Sequence, residues 1–310
     1  MARLIDGKAT ALAIKNEVKT QISALKDRGH SVCLATILVG DDPASHSYVS
    51  GKIKTCGEMG IMSRHFGMPK EISQADLLEL INSLNHDSTV NGILVQLPLP
   101  DSIDESEIIS SIDPRKDVDG FHPLSMGKLV LGEEGFVPCT PAGIIELLKR
   151  YGVETRGKNV VIVGRSNIVG KPLANLLIHK KGGADATVTI CHSRTTNIKE
   201  HTLRADILVA AIGKAHLITS DMVKEGTVVI DVGTNEIGQT TDGKRILVGD
   251  VDFETVKDKA SLITPVPGGV GPMTIAMLMK NTLLAAQTQT DLSHYCYVNY
   301  SQPSERNTAL

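Results

Sequence analysis

The 310-residue chain has no tryptophan, four Phe and five Tyr, and three of those tyrosines (Tyr295, Tyr297, Tyr300) fall in its last sixteen residues. Up to residue 287 the only tyrosines are Tyr48 and Tyr151. A stacking platform for single-stranded nucleic acid needs more aromatic faces than that. A charge of one sign is missing too: 32 Lys and Arg stand against 35 Asp and Glu, a formal net charge of −3. That balance offers no basic field to nucleic acid or to an anionic membrane. The five cysteines (Cys33, Cys56, Cys139, Cys191, Cys296) are odd in number, far apart and never in a CxxC pair. Neither a disulfide framework nor a thiolate zinc site fits, and no metal is expected. No run approaches the ~18 apolar residues of a membrane span, and the opening MARLIDGKAT has no apolar signal core. A soluble, cytoplasmic protein in a reducing compartment is the expectation.

What is present is a patterned chain long enough for about two domains at ~150 residues each. Val18, Ile22 and Leu25 share a helical face, and Gly29 should end that helix. CLATILVG (33–40) reads as a buried strand. Asp42-Pro43 reads as an N-cap followed by Pro in the first turn, opening a helix to about Gly60. A strand near Arg64–Phe66 follows, then a helix opened by Ser73 and Asp76 and carrying Leu77, Leu78, Leu80 and Ile81. GILVQLPLP (92–100) reads as a strand stopped by Pro98 and Pro100, and a Pro- and Gly-punctuated connector is expected from Asp113 to Pro141.

The second half restarts the alternation. It predicts a short helix over Ile144–Tyr151, a strand at NVVIVG (159–164) and a helix over Pro172–His179. Strands are expected at 187–191, 207–212, 227–232 and 245–251, and a last apolar helix over 272–287 starting at Pro272. Short apolar strands with helical crossovers predict an α/β protein whose second domain is a doubly wound parallel sheet. Residues 288–310 show no period and are expected to be poorly ordered.

Within VVIVGRSNIVGKP a glycine-bearing turn joins a strand to a helix, the setting in which helix N-terminal amides receive a pyrophosphate. The spacing is not GxGxxG: Ser166 replaces the central Gly between Gly164 and Gly170. The next strand ends in His192-Ser193-Arg194-Thr195, with no acid to accept ribose hydroxyls. A guanidinium beside a hydroxyl suits a 2′-phosphate, so NADP is preferred over NAD, with Arg165 as a second cation. A merely solvated Arg194 is the competing reading.

Tyr48 and Lys52 lie four apart on one helical face, a stacking surface beside an ammonium, although such pairs also occur on solvated helices. Gln96 is polar within an apolar strand and must bond either to structure or to a ligand. Asp117 and Asp119 would share one face if extended; metal binding and a turn at Gly120 are both open. PVPGGVGPMT (265–274) crowds glycines before a helix and implies close backbone approach to a ligand or to another loop.

In order along the chain, YVSGK (48–52), GILVQLPLP (92–100), KDVDG (116–120), GRSNIVGKP (164–172), CHSRT (191–195), GDVDF (249–253) and PVPGGVGPMT (265–274) resemble the bifunctional methylenetetrahydrofolate dehydrogenase/methenyltetrahydrofolate cyclohydrolases, the FolD type. The likeness runs from about residue 3 to 287. It implies NADP-dependent oxidation of 5,10-methylenetetrahydrofolate and hydrolysis of the methenyl product to 10-formyltetrahydrofolate. By the same likeness Lys52 matches the catalytic lysine, Gln96 its partner, Tyr48 the aromatic that stacks on folate and Asp119 the acid that pairs with the pterin edge. Pro267, Gly268 and Gly269 would line the substrate, while Gly164, Arg165, Ser166, Ile168, Val169, Gly170, Ser193, Arg194 and Thr234 would line NADP. The implied architecture is a folate-binding domain (1–140, completed by the 272–287 helix) and a Rossmann-type NADP domain (141–271), with an interdomain cleft, in a homodimer. Short-chain dehydrogenases also use Tyr-x-x-x-Lys, but there the pair follows the Gly-rich turn, and here Tyr48 precedes Gly164 by over a hundred residues. A folate- or NADP-binding protein without turnover is the non-enzymatic alternative.

Overall fold

The computed structural model describes residues 2–180, 184–240 and 243–290. The chain opens with β1 (Arg3–Leu4), α1 (Gly7–Asp27), β2 (Cys33–Val39), α2 (Pro43–Met59), β3 (Met62–Met68), α3 (Gln74–His86) and β4 (Gly92–Val95). Three helices follow, α4 (Glu105–Ser111), α5 (Pro123–Leu131) and α6 (Cys139–Arg150). The second half runs β5 (Asn159–Val163), α7 (Gly170–Ile178), β6 (Thr187–Cys191), α8 (Ile198–Thr202), β7 (Ile207–Ala210) and β8 (Val228–Asp231). It ends with β9 (Asn235–Gln239), β10 (Arg245–Val248), α9 (Phe253–Val256), β11 (Leu262–Ile263) and α10 (Val270–Gln289).

Two parallel sheets result. The first has the order β3–β2–β4, the second β1–β11–β8–β7–β5–β6. Strand β2 shows no alternation because both its faces are covered. Ala35, Ile37 and Val39 pack with Leu77, Ile81 and Leu84 of α3, while Leu34 joins α1 and α10 in a core that reaches Val160, Ile162 and Val209 of the second sheet. In that sheet the chain steps outward from β5 in both directions, so strand order reverses between β5 and β7. Such a switch point opens a crevice at the carboxyl ends of the strands, where α/β folds bind ligands.

Several expectations need correction. RILVGDV does not join the parallel sheet: β10 pairs antiparallel with β9, because so short a connection permits a hairpin but not the crossover that parallel pairing requires. The N-terminal segment does not stay with the first sheet, since Arg3 and Leu4 pair parallel with Leu262 and Ile263. The strand expected over 92–100 stops at Val95, and the Leu97–Pro98 bond is cis. The connector expected over 113–141 contains α5, capped by His122 Nδ1 on the Leu124 amide at 3.0 Å and closed by Gly132 at φ +70°. Helix α6 starts at Cys139, with Pro141 tolerated in its first turn. The last helix runs Val270–Gln289, longer than 272–287 at both ends. The tail reading for 288–310 otherwise concerns 291–310, outside the described residues, as does Cys296.

Candidate active site

Lys52 owes its place to the cap of α2. The Asp42 carboxylate accepts from the Ser45 amide at 2.7 Å, Pro43 sits in the first turn, and Gly60 at φ +80° closes the helix. The third turn then carries Lys52 inward to 9% exposure, while Tyr48, one turn earlier, keeps 48%. Lys52 Nζ donates to Gln96 Oε1 at 2.9 Å. Gln96 stands just past the carboxyl end of β4, its amide donating to the Ile37 carbonyl at 2.9 Å. Its Nε2 donates to the Leu97 carbonyl at 2.6 Å, which turns the carboxamide oxygen toward the lysine.

Asp119 reaches the same sheet edge by another route. Residues 116–118 run beside β4, with the Ile93 amide donating to the Lys116 carbonyl at 2.8 Å. Asp117 then faces inward and accepts from Gly120 N (3.1 Å), Phe121 N (3.1 Å), His122 N (2.9 Å) and Ser125 Oγ (2.7 Å). That network fixes a turn in which Gly120 takes φ +75°, and a Cβ there would stand 2.7 Å from the Val137 carbonyl carbon. Asn281 of α10 donates to the Val118 carbonyl at 2.8 Å and the Val137 carbonyl at 3.1 Å, pinning the segment from the other side. The Asp119 carboxyl keeps some accessible surface but is hemmed in by protein atoms. Desolvation pushes its pKa up to about 6, Lys52 pulls it down, and Asp117 adds to the rise. Burial likewise raises the Cys139 thiol, whose Sγ lies 4.0 Å from Asp119 Oδ1. Lys52, Gln96 and Asp119 thus form one cluster at the carboxyl edge of the first sheet.

The glycines of PVPGGVGPMT serve a loop-to-loop approach. A Cβ on Gly7 would stand 1.7 Å from the Gly269 carbonyl oxygen, and one on Gly269 would stand 2.6 Å from the Pro265 oxygen. Gly268 takes φ +111°, its carbonyl accepts from the Lys8 amide at 3.1 Å, and Val266–Pro267 is cis. This segment leads from β11 into α10, where Ile275 Cδ1 would touch a Cβ on Gly51 at 3.8 Å. The carboxyl end of the second sheet is thereby tied to the helix that carries Lys52. The β9–β10 hairpin makes a second tie, with Arg245 Nη2 donating to Ser47 Oγ at 3.3 Å.

At the carboxyl end of the second sheet the Gly164 turn follows β5. A Cβ on Gly164 (φ +140°) would stand 2.1 Å from the Ala211 oxygen, and one on Gly170 would stand 2.2 Å from the Gly164 oxygen. Both positions therefore require glycine for close packing of turn, helix and neighbouring loop. Ser166 Oγ accepts from Val169 N at 3.1 Å and Gly170 N at 3.4 Å, which covers the start of α7 and leaves Arg165, Ser166 and Ile168 exposed above it. After β6, the His192 amide donates to Thr195 Oγ1 at 2.9 Å and the Arg194 amide to His192 Nδ1 at 3.2 Å. Ser193 and Arg194 are left exposed with no carboxylate in that turn, and Thr234 is exposed after β8. A glycine-lined cradle beside a hydroxyl and a guanidinium fits a dinucleotide bearing an extra phosphate.

Two family models match the chain. The tetrahydrofolate dehydrogenase/cyclohydrolase catalytic domain covers residues 5–119, and the NAD(P)-binding domain of the same family covers 138–290. The chain belongs to the tetrahydrofolate dehydrogenase/cyclohydrolase family. It is 59% identical over 292 residues to the bifunctional protein FolD of Dehalococcoides mccartyi (strain CBDB1), spanning 94% of this chain and 99% of that one. A crystal structure of the FolD methylenetetrahydrofolate dehydrogenase/cyclohydrolase from Campylobacter jejuni is similar at 52% identity and TM-score 0.87, over 93% and 99% of the two chains. The Trypanosoma brucei enzyme, complexed with NADP cofactor and inhibitor, is similar at 39% identity and TM-score 0.88, over 93% and 98%.

Within this family frame, the structure brings Lys52, Gln96 and Asp119 together and leaves Tyr48 as an open aromatic face one turn from Lys52. It separates the two acids of KDVDG, and Asp117 is consumed in holding a turn. Among the described residues no group of three or more His, Cys, Asp or Glu is placed to hold a metal ion. Asn281 was not foreseen; its signal was a carboxamide between apolar turns of α10, 275–279 and 283–286. Nor were Asp231 and Asp250, acids at the ends of apolar runs, 2% and 0% exposed.

Proposed function

We propose that this chain oxidises 5,10-methylenetetrahydrofolate to 5,10-methenyltetrahydrofolate with NADP and hydrolyses that product to 10-formyltetrahydrofolate, an enzyme of one-carbon metabolism. The observation that carries the reading is the 2.9 Å bond between Lys52 Nζ and Gln96 Oε1 beside the desolvated Asp119 carboxyl. The folate side is assigned to the first sheet with α10, and the cofactor side to the second sheet, β1 included.

Asp119, when ionised, offers two acceptors to the amino-pyrimidinone N–H fork of a pterin, a bidentate match. Tyr48 gives the substrate a ring to stack on, and Pro267, Gly268 and Gly269 border it from the cofactor side. NADP, when bound, supplies the hydride acceptor. The oxidation then asks mainly for positioning from the protein. The hydrolysis asks for more: the oxygen of water bonds to the amidinium-like carbon and loses both its protons as the formyl C=O forms, one carbon–nitrogen bond opens, the departing nitrogen takes up one proton and the other is released. Lys52, aimed by Gln96, is the group placed for those proton transfers.

For the cofactor, Gly164, Arg165, Ser166, Ile168, Val169 and Gly170 would hold the pyrophosphate side, Ser193 and Arg194 the 2′-phosphate, and Thr234 the region past β8. Among the described residues no helix is long and apolar enough to cross a membrane. A cytoplasmic homodimer acting on tetrahydrofolate derivatives, without nucleic-acid or membrane partners, completes the reading.

The test is Lys52→Met, assayed separately on the methylene and methenyl substrates. Cyclohydrolase activity should fall by ~100-fold or more, the range of a lost general acid–base group, and dehydrogenase activity by much less. Equal residual fractions of the two activities would contradict this division of roles.

A further inference from the structure

The loop after β7, which packs against the Gly164 turn, and its neighbour after β8 are organised from behind by two buried carboxylates. Asp250 Oδ2 accepts from Ile212 N at 2.6 Å and Gly213 N at 3.0 Å, and Oδ1 accepts from Lys214 N and Asn235 Nδ2, both at 2.9 Å. Three consecutive amides after β7 and one side-chain amide after β8 therefore converge on a single anion. Asp250 is held in turn by Asp231. The carboxylate of Asp231 accepts from Asp250 N, Val251 N (each 2.9 Å) and Gly233 N (3.0 Å). The neighbouring glycines make room for this pair: a Cβ on Gly249 would stand 1.8 Å from Asp231 Oδ2, and one on Gly233 2.3 Å from Asp250 Oδ1.

The loop so held lies at the switch point of the second sheet. The Ala211 amide donates to the Val163 carbonyl at 2.8 Å, and the Ala211 oxygen is the atom that forbids a Cβ on Gly164. On its other side the loop is open, since a Cβ on Gly213 (φ +75°) would meet nothing within 4 Å. Asn235, the fourth donor to Asp250, directly follows the exposed Thr234.

We propose that Asp250 is a positioning residue for the cofactor: by gathering the amides of 212–214 and the side chain of Asn235, it sets the loop that packs against the Gly164 turn together with the neighbouring loop after β8, and so sets dinucleotide affinity. This rests on the reading that NADP occupies that side of the cleft. The role requires a carboxylate. An asparagine has one acceptor oxygen, so its NH2 group would face at least one of the converging N–H donors, and the loop would have to retreat.

The experiment is direct titration of NADPH fluorescence against wild type and Asp250→Asn, alongside cyclohydrolase turnover of 5,10-methenyltetrahydrofolate without cofactor. The Kd for NADPH should rise by ~10-fold or more, as loss of charge-assisted hydrogen bonds implies. Cyclohydrolase turnover should stay within ~2-fold, because Asp250 bonds to neither Lys52, Gln96 nor Asp119. A parallel fall in cofactor affinity and cyclohydrolase turnover would show a general structural role and overturn the inference, as would an unchanged Kd. Should Asp250→Asn not fold, Asn235→Ala, which removes one of the four donors, decides: a Kd raised ~3-fold or more supports the inference and an unchanged one overturns it. Wild type that fails to bind NADPH would overturn the cofactor reading itself.

Discussion

Asp117 and Asp119 are chemically identical and two positions apart, and their surroundings give them opposite work. Four donors saturate Asp117. Asp119 is left with desolvation and the nearby Lys52, and its pKa is pushed up to about 6. Between its ordinary value near 4 and about 6 the native protein therefore binds the proton that the unfolded chain has released. Native stability falls as pH rises through that window, and the ionised carboxylate above it is held at a cost. Two consequences follow for Asp119→Asn. At pH 8 the variant should melt higher than wild type by ~2–4 °C, a difference that disappears near pH 4. Its activity should be low and lack the acid limb expected of wild type, in which kcat/KM for methylenetetrahydrofolate should fall about tenfold per pH unit below 6. An acid limb that survives in the variant would assign it to another group.

At the scale of elements, Lys116 joins the first sheet to α3. It is 6% exposed, and its Nζ donates to the Leu84 and Asp87 carbonyls, each at 2.8 Å, at the C-terminal end of that helix. Burial lowers its pKa, countered by Asp113 and Asp87. Lys116→Met would orphan the Leu84 carbonyl and leave the Asp87 carbonyl only the Val90 amide at 3.1 Å, and should cost about 1–3 kcal/mol in urea unfolding. A change below ~0.5 kcal/mol would mean that water replaces the ammonium without loss.

The same scale shows what a sequence can disclose. Helix α2 was legible from Asp42-Pro43 to Gly60 because capping is local chemistry. So were the fully buried strands, whose apolar runs need no partner to be recognised. The antiparallel placement of β10 was not, because pairing direction depends on where β9 lies, and neither was β1, too short to carry a pattern. At the site, the Tyr48–Lys52 spacing and the Gly164 turn could be read from the sequence. Asp119 was singled out over Asp117 only by the family resemblance, because the residue pattern treats both alike; that Asn281 would clamp the Val118 and Val137 carbonyls, and that Asp250 would gather a loop, are products of tertiary burial.

For the whole molecule, α10 is the seam. Its first turns carry the cofactor-side loop to within reach of Gly51, its middle pins the Asp119 segment through Asn281, and Met273 and Met277 belong to a core shared by both sheets. Under the proposed function, this seam would let a single bound folate meet both the hydride acceptor and Lys52. The measurement that tests this most directly is an absorbance assay on the intact chain with methylenetetrahydrofolate and either NADP+ or NAD+, following NADPH or NADH and the methenyl species separately. Reduction should proceed with NADP+ in preference to NAD+, and methenyltetrahydrofolate should not build up, because the same site hydrolyses it. Methenyltetrahydrofolate accumulating one for one with the reduced nucleotide, or no reduction by folded protein that still binds folate, would contradict the proposed function.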